Sequence, residues 1–133
     1  MKIQDLEGVG PVYGAKLRAA GVQTTDDLLE KAGPATGRRA PAAAADISPD
    51  LLLRWTNHAD LYRISGVGSE YADLLEASGV DSCTELAQRN PGNLATTMAE
   101  ANAARALVRR LPTADVVAGW VDQAKLLPRV VTH

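Results

Sequence analysis

Two short turns carry the residue types that would let this chain bind an anion through its backbone. Each precedes a segment with helical character, and their sequences are Gly8-Val9-Gly10 and Gly66-Val67-Gly68. Glycine tolerates positive φ, so both turns can reverse the chain tightly. The first N–H groups of a helix lack partners within the helix and attract phosphate oxygens. The chemistry expected at these turns is anion binding by the main chain.

The two turns belong to a longer internal repeat. Residues 3–29 align with residues 61–87 at a constant offset of 58, and nine of the 27 positions are identical. Farther along the chain Trp55 matches Trp120 at an offset of 65, so the second copy has gained seven residues between the two blocks. A repeat of this kind indicates duplication of one supersecondary unit. We expect a single domain over residues 1–133, made of repeats over 1–60 and 61–127 and a tail over 128–133.

The boundary residues favour an all-α fold. No long segment alternates apolar and polar residues, and the turn signals fall at helix boundaries. A helix over residues 11–20 is expected after the first turn. Pairs with capping-box spacing open expected helices near residues 25–32 and 83–89. For residues 91–112 we expect two short helices separated near Asn102.

The two tryptophans are expected to anchor the core. Aromatic residues make up 4% of the chain and Phe is absent, so the core must consist of Leu, Val, Ile and Ala. Trp55 lies on an apolar face between Leu51 and Tyr62, and the segment around Trp120 repeats its spacing. A role in stacking against a ligand is the alternative for the indoles.

The pattern around both turns resembles the helix-hairpin-helix motif. It reads apolar-x-Gly-apolar-Gly-x-x-x-small-x-x-apolar, ending at Leu17 in the first copy and at Leu75 in the second. Two copies resemble the paired helix-hairpin-helix domain, and nearly the whole chain resembles an uncharacterised bacterial family of such proteins. The resemblance implies two tandem units with approximate two-fold pseudosymmetry. It also implies turns that grip DNA phosphates without reading sequence, often with a bound monovalent cation.

Charge assigns the expected DNA contact chiefly to the first turn. Lys16 and Arg18 follow that turn, whereas three carboxylates that repel phosphate follow the second. Contacts to phosphate position a protein on DNA but carry no sequence information. The predicted nucleic-acid-binding residues are Gly8, Val9, Gly10, Lys16, Arg18, Gly66, Val67 and Gly68. The expected partner is duplex or branched DNA.

A second group of basic residues lies near the end of the second repeat. Arg105 and Arg109 are four apart and are expected to share one helix face, with Arg110 beside them. Such a face is either simply solvated or an auxiliary track for phosphate.

Composition excludes several other classes of function. One cysteine rules out a disulfide framework and a multi-thiolate zinc site, and two histidines make a His-rich metal centre unexpected. No apolar run approaches 18 residues and no signal peptide is recognisable, so a cytoplasmic protein without a membrane partner is expected. No nucleophile has a catalytic context. We therefore expect a non-enzymatic protein with no cofactor, metal or small-molecule substrate.

A protein-interaction or scaffold module that has lost DNA binding is the alternative function. The net charge of −2 and the carboxylates after the second turn favour it. The apolar segment Leu126–Val131 is its candidate docking element, unless that segment packs on the core.

Overall fold

A computed structural model describes all residues 1–133, and the fold is all-helical. The chain forms no β-strand, and its one extended pairing is an isolated antiparallel bridge between Lys2 and Thr24. Two 3₁₀ helices, Ile3–Asp5 and Ala35–Gly37, precede α1 and α3. The α-helices are α1 (Gly10–Ala19), α2 (Thr25–Ala32), α3 (Arg39–Ala45), α4 (Pro49–Leu61), α5 (Ser69–Ala77), α6 (Cys83–Ala87), α7 (Pro91–Arg105) and α8 (Ala114–Leu126). None of them combines the length and the apolar character that crossing a membrane requires.

The chain divides into two compact units. The first comprises Met1–Asp60 together with Val130–His133, and the second comprises Leu61–Arg129. In the first unit α1 packs against the first 3₁₀ helix and α3. In the second unit α8 packs against α6 and α7, and α5 packs against α7.

The helix after each glycine turn ends in the same way. In the first unit Gly21 adopts φ +92°, and the N–H of Val22 donates to the carbonyl of Leu17 at 2.9 Å. The second unit repeats this arrangement at an offset of 58, with Gly79 at φ +88° and an equivalent bond of 2.9 Å. A left-handed glycine that closes such a bond satisfies carbonyls at the helix end and stops the helix.

The predicted caps open the next helices. Thr24 accepts from the N–H of Asp27 at 3.1 Å, and the Asp27 carboxylate accepts from the N–H groups of Gln23 and Thr24, which completes a capping box. The donor at Gln23 is the main reason that the pKa of Asp27 lies below its ordinary value, and Thr24 adds to the effect. In the second unit Ser82 accepts from the N–H of Glu85 at 3.2 Å. The expected helices at 25–32 and near 83–89 are therefore confirmed.

The expectation for residues 91–112 is wrong. One helix, α7, runs through Asn102 and ends where Ala106 takes a left-handed conformation at φ +50°. Asn102 does not break the helix because its side chain bonds outside it, to both the N–H and the carbonyl of Val108 at 2.9 and 3.1 Å. Arg109 therefore follows the end of the helix, and the prediction that it shares a helix face with Arg105 is also wrong.

The last four residues pack on the first unit. Val131 is buried, and Thr132 accepts from the N–H of Ala35 at 2.7 Å while its own N–H donates to the carbonyl of Gly33 at 3.0 Å. The buried guanidinium of Arg38 donates to the carbonyl of Thr132 at 2.7 Å. The end of the candidate docking segment is therefore packed on its own unit at Val131, whereas its first residue, Leu126, is 86% exposed.

The prediction that both tryptophans are core residues is confirmed. Trp55 and Trp120 are each only 3% exposed. Trp120 packs in the second unit among Leu, Ile, Val and Ala side chains, as expected for a chain without Phe. Burying an indole removes more apolar surface from water than burying any aliphatic side chain, so these two residues dominate the small cores.

Trp55→Ala and Trp120→Ala are each expected to lower the free energy of unfolding by about 3–5 kcal/mol, because truncating a buried indole leaves a cavity. Urea unfolding of each variant measures the change. Val12→Ala is the control, since Val12 is 68% exposed and its truncation should cost less than about 0.5 kcal/mol. Wild-type stability in either tryptophan variant would contradict the core assignment.

Candidate nucleic-acid interface

Each glycine turn rests on the same pair of backbone hydrogen bonds. In the first turn the N–H of Leu6 donates to the carbonyl of Ile3 at 3.2 Å, and the N–H of Val9 donates to the carbonyl of Leu6 at 3.1 Å. The equivalent bonds in residues 61–67 are both 3.1 Å long. The local path of the chain up to the valine of each turn is therefore repeated, and not only its sequence.

The first glycine of each turn lies against an indole. Gly8 has φ +88°, and a β-carbon there would lie 3.3 Å from Nε1 of Trp55. Gly66 has φ +94°, and a β-carbon there would lie 3.2 Å from Nε1 of Trp120. Both the backbone angle and the close indole require a residue without a side chain at these positions. The structure of the turn thus explains why glycine occupies positions 8 and 66, independently of any ligand.

A tyrosine ring packs on each of the two indoles. The rings of Tyr13 and Trp55 have centroids 5.1 Å apart in an edge-on arrangement, and those of Tyr71 and Trp120 are 5.2 Å apart and tilted. Such aromatic pairs add stability beyond the area that they bury. These pairs were not predicted from the sequence, although Tyr13 and Tyr71 match at the offset of 58.

The valines of the turns face inward. Val9 and Val67 are both buried, so their side chains fill the space beneath the turn. A ligand on the outside of either turn would therefore meet only the backbone at these two positions. This placement agrees with an interface formed by main-chain groups.

The second glycines differ between the two turns. Gly10 has φ +67°, whereas Gly68 has φ −103° and ψ −166°, so only Gly10 uses the positive φ that glycine allows. The following residue accounts for part of the difference: Pro11 disfavours the right-handed helical conformation for Gly10, while Ser69 imposes no such limit. Around both glycines a β-carbon would meet no heavy atom within 4 Å. The backbone at both positions is open on that side.

No side chain caps the two helices that follow the turns. The residues before α1 and α5 are Val9 and Gly68, and neither makes a side-chain cap. Five other helices have one: Thr24 caps α2, Ser48 caps α4, Ser82 caps α6, Asn90 caps α7 and Thr113 caps α8. The N–H groups at the start of α1 and α5 thus lack the acceptor that these other helices possess.

The two basic residues after the first turn contact other parts of the first unit. Lys16 Nζ lies 3.6 Å from a carboxylate oxygen of Asp46 and 5.7 Å from the centre of the Tyr13 ring. Arg18 Nη1 donates to the amide oxygen of Gln4 at 3.2 Å. The pair of Lys16 with Asp46 is exposed, and such pairs contribute at most about 1 kcal/mol. The contact is therefore weak enough for another anion to replace Asp46.

The second turn is followed by negative charge. Glu70 is exposed in the first turn of α5, where its carboxylate interacts favourably with the helix dipole. The same charge opposes phosphate at that end of α5.

The family model of a domain of unknown function, DUF4332, matches residues 7–127. The chain belongs to the DUF4332 family. No curated protein and no solved structure matches the chain. The DUF4332 match contains both glycine turns and both tryptophans, so the two contacts between glycine and indole lie within the family domain.

The two glycines of the second turn should differ in their tolerance of a side chain. Gly66→Ala forces a β-carbon into the left-handed region and toward Trp120, at an expected cost of about 1–2 kcal/mol or more in unfolding free energy. Gly68→Ala meets open space at an ordinary φ, so it should cost less than about 1 kcal/mol. Urea unfolding of the two variants tests this order, and the reverse order would refute the structural role given to Gly66.

Proposed function

We propose that this DUF4332 chain is a tandem helix-hairpin-helix module that binds the phosphate backbone of duplex or branched DNA without reading base sequence. The observation that carries the proposal is the open and uncapped start of α1 directly after a glycine turn, repeated at α5. N–H groups at such a helix start bind anionic oxygens through direct donation and through the helix dipole.

The first turn is the main contact in this proposal. Lys16 and Arg18 provide positive charge on the helix that begins at Gly10. The exposed pair of Lys16 with Asp46 is weak, so a DNA phosphate can take the place of Asp46. Arg18 has no acidic partner, because it donates to a neutral amide. The contact positions DNA and carries no information about its bases.

The alternative is a protein-interaction module that keeps the fold without the DNA contact. The exposed carboxylate of Glu70 at the start of α5 favours it, as does the net charge of −2. A protein of this charge has no overall field that attracts DNA, so binding to DNA must come from local contacts.

Lys16→Glu is expected to weaken binding to a labelled duplex by about tenfold or more at low salt, because it replaces one phosphate contact with a repulsive charge. Fluorescence anisotropy at fixed ionic strength gives the affinity. Lys125→Glu is the matched control: it makes the same change in net charge at an exposed residue in the last turn of α8. Circular dichroism checks that both variants are folded.

Two results would count against this proposal. If the wild type does not bind duplex or branched DNA even at low salt, the protein-interaction alternative replaces it. If Lys16→Glu and Lys125→Glu weaken binding equally, the first turn is not the contact and only net charge matters.

A further inference from the structure

The connection between α7 and α8 contains an insertion that the first unit lacks. In the first unit the left-handed residue Asp46 ends α3, and α4 begins at Pro49. In the second unit the left-handed residue Ala106 ends α7, and α8 begins only at Ala114. We call residues 106–112 the inserted loop. It accounts for most of the seven residues by which the second repeat is longer.

The inserted loop is held in place at two points. Val108 is buried, and both its N–H and its carbonyl bond to the side chain of Asn102. Two residues farther on, the hydroxyl of Tyr71 donates to the carbonyl of Arg110 at 2.9 Å. Tyr71 belongs to α5, the helix that follows the second glycine turn, and its ring packs on Trp120. The loop is thus fastened to the same aromatic pair that supports the second turn.

Positive charge is concentrated in and beside the inserted loop. Between Glu100 and Asp115 the chain has three arginines and no acidic residue. All three are exposed, and no intramolecular ion pair or side-chain hydrogen bond engages their guanidinium groups: Arg105, Arg109 and Arg110. Lys16 in the first unit, by contrast, is paired with Asp46. The second unit therefore offers guanidinium groups that can bind a ligand without breaking an intramolecular contact.

We propose that the inserted loop is a second nucleic-acid contact, in which Arg109 and Arg110 bind backbone phosphates. This inference rests on the proposed DNA-binding function and adds a surface to it. A guanidinium group presents planar N–H donors that match two phosphate oxygens and is always charged at neutral pH. The loop supplies the positive charge that α5 lacks, so the second unit contributes to binding despite Glu70.

The test is a salt titration of duplex binding with Arg109→Gln/Arg110→Gln. Its matched control is Arg39→Gln/Lys125→Gln, which removes the same charge from two exposed residues outside the loop. The loop variant should bind about tenfold more weakly at 50 mM salt. A plot of the logarithm of its binding constant against the logarithm of the salt concentration should have a slope that is shallower by about 2, since each lost phosphate contact removes about 1. The control should keep the wild-type slope. The substitutions spare the bond from Tyr71 because that bond uses the carbonyl of Arg110.

The outcomes separate this inference from the proposed function. If the wild type binds DNA and the loop variant matches the control, the inference is wrong and the proposed function stands. If the wild type does not bind DNA, both are wrong. A third outcome is that the wild type binds a polyglutamate peptide but not DNA, and that the loop variant does not bind the peptide. This result would show that the loop binds an acidic protein and would overturn the DNA assignment.

Tyr71→Phe tests whether the hydrogen bond from Tyr71 to the inserted loop contributes to DNA binding. The variant keeps the ring on Trp120 and loses only the donor to Arg110. We expect it to weaken DNA binding severalfold in the wild-type background and to add no loss in the Arg109→Gln/Arg110→Gln background, since both changes act on one contact. An equal loss in both backgrounds would show a general structural effect and contradict the positioning role.

Discussion

The contact between a glycine and the edge of an indole is the constraint on which each unit depends. A β-carbon would lie 3.3 Å from Nε1 of Trp55 at Gly8 and 3.2 Å from Nε1 of Trp120 at Gly66, and both positions have positive φ, so glycine fits there without crowding or strain. The contact holds the turn against the helix that carries the tryptophan, α4 in the first unit and α8 in the second. A buried aromatic ring thus lies beside each turn from which α1 and α5 begin.

The two units have turns of the same sequence but opposite arrangements of charge. In the first unit the helix after the turn is basic at Lys16, and the residue that ends α3 is the acidic Asp46. In the second unit the corresponding helix is acidic at Glu70, and the positive charge lies in the inserted loop at Arg109 and Arg110. Each unit therefore carries one basic element near its turn, on different parts of the chain. This exchange explains how a chain of net charge −2 can present two local basic surfaces.

Much of the fold could be predicted because its signals are local. A capping residue such as Thr24 and a left-handed glycine such as Gly21 mark helix ends through interactions with their nearest neighbours in sequence. The burial of Trp55 and Trp120 followed from apolar spacing along a helix. These features depend on a few adjacent residues and need no knowledge of distant contacts.

The features that could not be predicted from the sequence depend on side-chain geometry or on contacts between residues that are distant in sequence. Asn102 resembles a helix breaker in sequence, but its bonds to Val108 leave α7 intact. The link from Tyr71 to Arg110 joins residues 39 positions apart, and no spacing rule indicates it. Lys16 contacts Asp46, which is 30 positions away in sequence. This contact places a carboxylate beside a lysine that was predicted to bind phosphate.

The salt dependence of wild-type binding to an unmodified duplex tests the central claim most directly. Sequence-independent contact with a few phosphates predicts modest affinity that is equal for unrelated duplexes and a log–log slope of about −2 to −4, from about −0.9 for each neutralised phosphate. Absence of binding at low salt, or an affinity that depends on base sequence and hardly on salt, would contradict it.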